Sequence, residues 1–172
     1  MKFNILLCLI LCFTQGCKKG EDNSSEGLAN HHKSKSFEFK IGKVIIKTEL
    51  AVLPKERERG LMFRESMDEE EGMFFVFESG SSQRFWMKNT RIPLDIGYFS
   101  KDGRLKELHR GQPFDLTGVP SRFQSLQFVI ELNAGEFKRL GIEMGDRIDF
   151  KTLTQAVLQE GMKPGLYGLP EN

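Results

Sequence analysis

After residue 37, apolar and polar residues alternate with period two through most of the chain. In VIIKTELAV, Val44, Ile46, Leu50 and Val52 fall on one face and Ile45, Lys47, Glu49 and Ala51 on the other, which is the pattern of a strand with one buried face. Phe37, Phe39 and Ile41 alternate with Glu38 and Lys40, and Gly42-Lys43 follows, so the first two strands are predicted to form a tight hairpin. Similar runs predict strands over 73–77, 85–90, 94–100, 104–109, 127–132 and 147–151, with Asp102-Gly103 as the turn between two of them. Helical signals are short: Pro54 as a first-turn residue before 55–62, and 135–140 ended by Gly141. Many short strands with two short helices predict a mainly β domain, a sandwich or a partly closed barrel.

The amino terminus breaks this pattern. Lys2 precedes the apolar run ILLCLILCF over 5–13, which Thr14-Gln15-Gly16-Cys17 closes. The run is well short of the roughly 18 residues a spanning helix needs, so residues 1–17 are expected to be an export signal peptide. Gly16-Cys17 at its end resembles a bacterial lipobox, in which the cysteine takes up lipid and becomes the first mature residue. Thr14 and Gln15 depart from the usual leucine and small residue, and a plain cleaved signal remains the alternative. Cys8, Cys12 and Cys17 are all the cysteines of the chain, so removal of the leader leaves one thiol and no internal disulfide. Lipid attachment at Cys17 gives that thiol a role, and makes the membrane a partner through the anchor.

Residues 18–36 (KKGEDNSSEGLANHHKSKS) have almost no large apolar side chain and are expected to be a flexible tether with a reach of about 25 Å. His31-His32 lies in that tether without the fixed geometry a metal needs. The remaining 37–172 fits one domain. With 25 basic and 24 acidic residues the chain has no global basic field, which argues against nucleic acid as a partner. Fifteen phenylalanines load the core with aromatic area.

The blocks ERERGLMFRESM, EGMFFVFE, FWMKNTRIPLDIGYF with the turn KDGR, and FVIELNAGEF through MGDRI, resemble in order and spacing the bacterial and archaeal domain family of unknown function 192 (DUF192), over about 45–150. The resemblance implies a mainly antiparallel, jelly-roll-like β fold that is often exported. The family's activity is unassigned, so it implies no reaction.

The chemistry must therefore come from the residues. His109 is the one histidine after the tether and no cysteine accompanies it, so nucleophilic dyads are hard to build, and His109 itself is expected to be exposed. No phosphate-loop, zinc-protease or nucleophile-elbow pattern is present, and neither a cofactor nor a metal is expected. Asp68-Glu69-Glu70-Glu71 reads as a solvated loop. Asp95 and Glu131 differ, because each interrupts an apolar strand and needs a cationic or amide partner or an outlet to solvent. Arg57, Arg59, Arg64 and Lys88 are the available cations.

The stretch FWMKNTRIPLD carries the binding hypothesis. As a strand, 85–90 would place Phe85, Met87 and Asn89 on one face and Trp86, Lys88 and Thr90 on the other, so that neither face is wholly apolar. Trp86 with Lys88 could stack on and hydrogen-bond a small polar ligand such as a sugar. The equally open alternative is a core tryptophan beside a polar turn. Arg64, Trp86, Lys88, Asn89 and Asp95 are the candidate ligand-binding residues. The expectation is an envelope binding or accessory module, with an envelope hydrolase using carboxylates or a structural interaction protein as alternatives.

Overall fold

The computed structural model describes residues 35–69 and 71–171. The leader, residues 18–34 of the tether with its histidine pair, and Glu70 lie outside the described residues. Strand β1 (Ser36–Ile41) turns at Gly42, whose φ of 56° suits glycine, into β2 (Val44–Ala51), with Ile41 opposite Val44. Ser36, assigned to the tether by composition, already pairs with Glu49, and the Lys35 ammonium lies 3.7 Å from the Glu160 carboxylate.

From β2 the chain passes through α1 (Pro54–Arg59) to β3 (Gly72–Ser81), which lies parallel to β2. This pair departs from the expected antiparallel arrangement, because the helical crossover returns the chain in the same direction. All other pairs of the main sheet are antiparallel. With β5 (Leu94–Ser100), β6 (Leu105–Gly111) and β8 (Leu126–Asn133), the sheet runs in the order β1-β2-β3-β8-β5-β6. It curls into a half-barrel, so the partly closed barrel describes the fold and the jelly-roll sandwich does not. Two short strands, β4 (Arg84–Phe85) and β7 (Val119–Pro120), form a separate small sheet.

Apolar residues cover both faces of the main sheet. One cluster joins Phe39, Phe74, Phe99, Phe128 and Ile130 to Phe137 of α2 (Glu136–Leu140) and Leu153 and Val157 of α3 (Phe150–Gln159). The other joins Phe75, Ile96, Tyr98 and Val129 to Leu61 and Met87. Burial on both sides explains why β3, β5 and β8 read as nearly continuous apolar runs.

Three expectations fail locally. The strand over 85–90 stops at Phe85. The strand over 147–151 shrinks to isolated bridges at Arg147 and Ile148, after which α3 begins at Phe150, capped by the Asp149 carboxylate accepting from the Lys151 N–H at 2.8 Å. Beyond the two expected helices the fold has α3 and a 3-10 turn, Pro164–Tyr167.

Candidate functional site

Residues 86–90 form a loop pinned from several sides. Met87 is fully buried in the second cluster, its N–H donating to the Asp115 carbonyl at 2.9 Å. The Phe63 N–H donates to the Asn89 carbonyl at 2.8 Å and the Phe114 N–H to the Thr90 carbonyl at 3.1 Å. Phe63, Asn89 and Phe114 are the non-glycine residues with positive φ among those described, at 66°, 55° and 62°. For two phenylalanines this left-handed backbone is strained by about 1–3 kcal/mol each, and such strain concentrates where surrounding structure holds a surface in a set shape.

The held surface is a cleft of about 230 Å³ between α1 with its following turn and this loop. Lys55, Glu58 and Arg59 line it from α1, Met62 and Phe63 from the turn. Trp86, Lys88 and Asn89 close the opposite side. Trp86 is 45% exposed, and the Lys88 ammonium stands 5.0 Å from its ring centroid. The Asn89 amide nitrogen is 3.9 Å from the Met62 sulfur.

Behind Trp86 lies a cavity of about 20 Å³, which shares Glu58, Arg59, Met62 and Trp86 with the outer cleft. Phe75 and Phe85 supply aromatic walls, edge to face at 4.8 Å, and Glu131 lines it from β8. Gly60, at φ 47°, keeps this space open: a Cβ there would lie 3.4 Å from the Phe75 ring and 3.9 Å from Glu131 Oε2. Glu131 has no hydrogen-bond or ion-pair partner among the described residues, and burial pushes its carboxyl up to about 8. Near neutral pH it is largely uncharged, able to donate one hydrogen bond or, once ionised, to hold a cation.

Of the five residues expected to bind ligand, Trp86, Lys88 and Asn89 share the outer cleft. Arg64 and Asp95 are engaged elsewhere. Arg64 pairs with Glu49 at 2.5 Å; Asp95 accepts from Arg110 Nε at 2.7 Å and from the Gly135 N–H at 2.8 Å. The partner of Asp95 is thus Arg110, opposite it on β6, and none of the four cations suggested by the sequence. Lys55, Glu58, Met62 and Phe63 also line the cleft and were not anticipated, and Arg59 was named only as a cation available to Asp95 or Glu131, since only the crossover between the parallel strands brings them to Trp86. Glu131 was visible as a carboxylate in an apolar strand, but its isolation was not.

His109 is half-buried rather than exposed, because its Nε2 lies 2.7 Å from the buried Glu107 carboxylate. Burial works against the charge of Glu107, but the backbone N–H groups of Phe123 at 2.7 Å and Arg122 at 2.8 Å, with His109, hold it below its usual range. This pair borders an open groove, and its carboxylate anchors the 122–123 backbone. No group of three or more His, Cys, Asp or Glu side chains suited to a metal ion occurs among the described residues.

The sequence profile of DUF192, described as an uncharacterized ACR, matches residues 37–150. The chain belongs to the DUF192 family. Solved structures agree with this DUF192 fold. A proposed transcription regulator from Sinorhizobium meliloti 1021 is similar at 35% identity and a TM-score of 0.63, over 67% of this chain and 94% of that one. A protein of unknown function from Novosphingobium aromaticivorans DSM 12444 is similar at 31% identity and a TM-score of 0.64, over 78% of this chain and 99% of that one. No curated protein matches the chain at a significant level.

Proposed function

We propose that this DUF192 domain is an exported module, held to the cell envelope through lipid on Cys17, that binds a small polar ligand of the saccharide class in the cleft at Trp86. The observation that carries the reading is the half-exposed indole of Trp86 on a loop pinned by backbone hydrogen bonds, with Lys88 and Asn89 beside it. An aromatic face flanked by polar donors suits a sugar ring, and a preset loop lowers the ordering cost of binding. Lys55, Arg59 and Lys88 outnumber Glu58 around the cleft, favouring a ligand with an anionic substituent.

Hydrolysis is the weaker reading. Glu58 and Glu131 line the same inner cavity, but about 20 Å³ admits one atom-sized group and no bond between two rings. Nucleic acid remains disfavoured as a partner, since a net charge of +1 gives no basic field to attract a phosphate backbone.

Trp86 is the only tryptophan of the chain, so its fluorescence reports directly on the cleft. Titration with envelope saccharides is expected to shift that emission. Lys88→Met, which keeps most of the stem, should weaken binding severalfold while leaving the denaturant midpoint nearly unchanged. An emission unmoved by every saccharide would rule the reading out.

A further inference from the structure

Five carboxylates are buried among the described residues: Glu49, Asp95, Glu107, Glu131 and Glu136. Four have a partner within the chain, namely Arg64, Arg110, His109 and Arg139 respectively. Glu131 stands apart, with no partner among the described residues. Arg57, which also lines its cavity, is turned away: its guanidinium donates to the Val52 carbonyl and, at 2.9 Å, to the Val76 carbonyl, and lies 5.0 Å from the Phe77 ring centroid. A buried carboxylate with an open cavity in front of it lacks a counter-charge that a ligand can bring.

We propose that the inner cavity is an amine subsite, in which Glu131 receives the primary ammonium group of a small ligand whose polar body lies against Trp86. The walls fit this chemistry, since Phe75, Phe85 and Trp86 offer ring surfaces that attract a cation. The size is selective. A space of about 20 Å³ holds one water-sized group, so a primary ammonium enters and a trimethylated or acetylated nitrogen does not. Gly60 keeps the space in front of Glu131 clear, because a Cβ there would stand 3.4 Å from the Phe75 ring and 3.9 Å from Glu131 Oε2. Lys55 and Lys88, which line the outer cleft alone, then face the opposite, anion-bearing end of the molecule, while Arg59 and Glu58 line both spaces. As the ammonium enters, the Glu131 O–H gives its proton to solvent and the carboxylate accepts N–H bonds from the ligand.

This inference rests on the binding reading above, and calorimetry with the full chain at pH 7 separates the two. The probes are glucosamine, its N-acetylated counterpart and free lysine. At least one free amine is expected to bind about tenfold or more tightly than N-acetylglucosamine. Its heat should vary with the ionisation enthalpy of the buffer, because a proton is released. Preference for glucosamine would identify a ring-borne amine, and preference for lysine a linear one. Glu131→Gln, and Glu131→Met as an apolar variant of similar length, should lose both the preference and the proton release while retaining cooperative unfolding. Equal binding of amine and N-acetyl forms, or unchanged amine binding by both variants, overturns the subsite. Trp86-dependent binding of neutral sugars without binding of amines removes the subsite and leaves the cleft. Failure of every probe, with Trp86 emission unmoved, removes both.

Discussion

Asp95 and Glu131 are both carboxylates set in apolar strands, yet their surroundings give them opposite behaviour. Asp95 has Arg110 and the Gly135 N–H, and Arg110 is itself half exposed. Asp95→Ala therefore leaves a cation that water can still reach, and the expected loss in urea unfolding is about 1–3 kcal/mol, below the 3–5 kcal/mol of a stranded buried charge. Glu131 is raised from 4.5 to about 8 by burial. Between those values the folded state keeps a proton that the unfolded state has lost. Stability is then full below the lower value, falls by up to about 1.4 kcal/mol per pH unit between them, and levels off above the upper one. Glu131→Gln should flatten that decline in melts from pH 5 to 8.5, and an unchanged slope would show that Glu131 is ionised in the fold. Both positions could be picked out in the sequence as polar residues in apolar strands. Which one found a partner depended on residues 15 and 40 positions away in the chain, joined to Asp95 across β6 and before α2.

Among elements, the strands were legible because period-two alternation and the turns at Gly42-Lys43 and Asp102-Gly103 are local signals. The segment 85–90 misled because its burial alternates at first, with Met87 inside between exposed Trp86 and Lys88, until buried Thr90 breaks the period; a pinned loop and not a ladder produces that pattern. Residues 147–151 alternate as well, and β-branched Thr152, Thr154 and Val157 weaken the local helical preference of α3. Packing decides the matter, since Leu153, Ala156 and Val157 share one buried stripe against β1 and the Pro164–Tyr167 turn. Leu153→Ala should cost about 2–5 kcal/mol by denaturant unfolding, as expected for a fully buried leucine. A cost below about 1 kcal/mol would mean that α3 contributes little to the core.

At the scale of the whole molecule, the proposed anchoring rests on Cys17, since cleavage before it would take Cys8 and Cys12 away with the leader. Cys17→Ser should move the protein from the membrane fraction to the soluble exported fraction, and retention after a salt wash would contradict lipid attachment. The sequence by itself determined a mainly β domain, its family and most strand positions, because these follow from periodicity, turn chemistry and the spacing of blocks along the chain. Tertiary structure alone decided that β2 and β3 run parallel, since direction is set by where the α1 crossover lands. The same crossover brings Lys55, Glu58, Arg59 and Phe63 to the Trp86 loop, and Gly60 to Glu131, across separations in sequence that no local pattern encodes. A carboxylate becomes unusual only through what surrounds it, and Glu131 acquires its character from neighbours that the fold alone assembles.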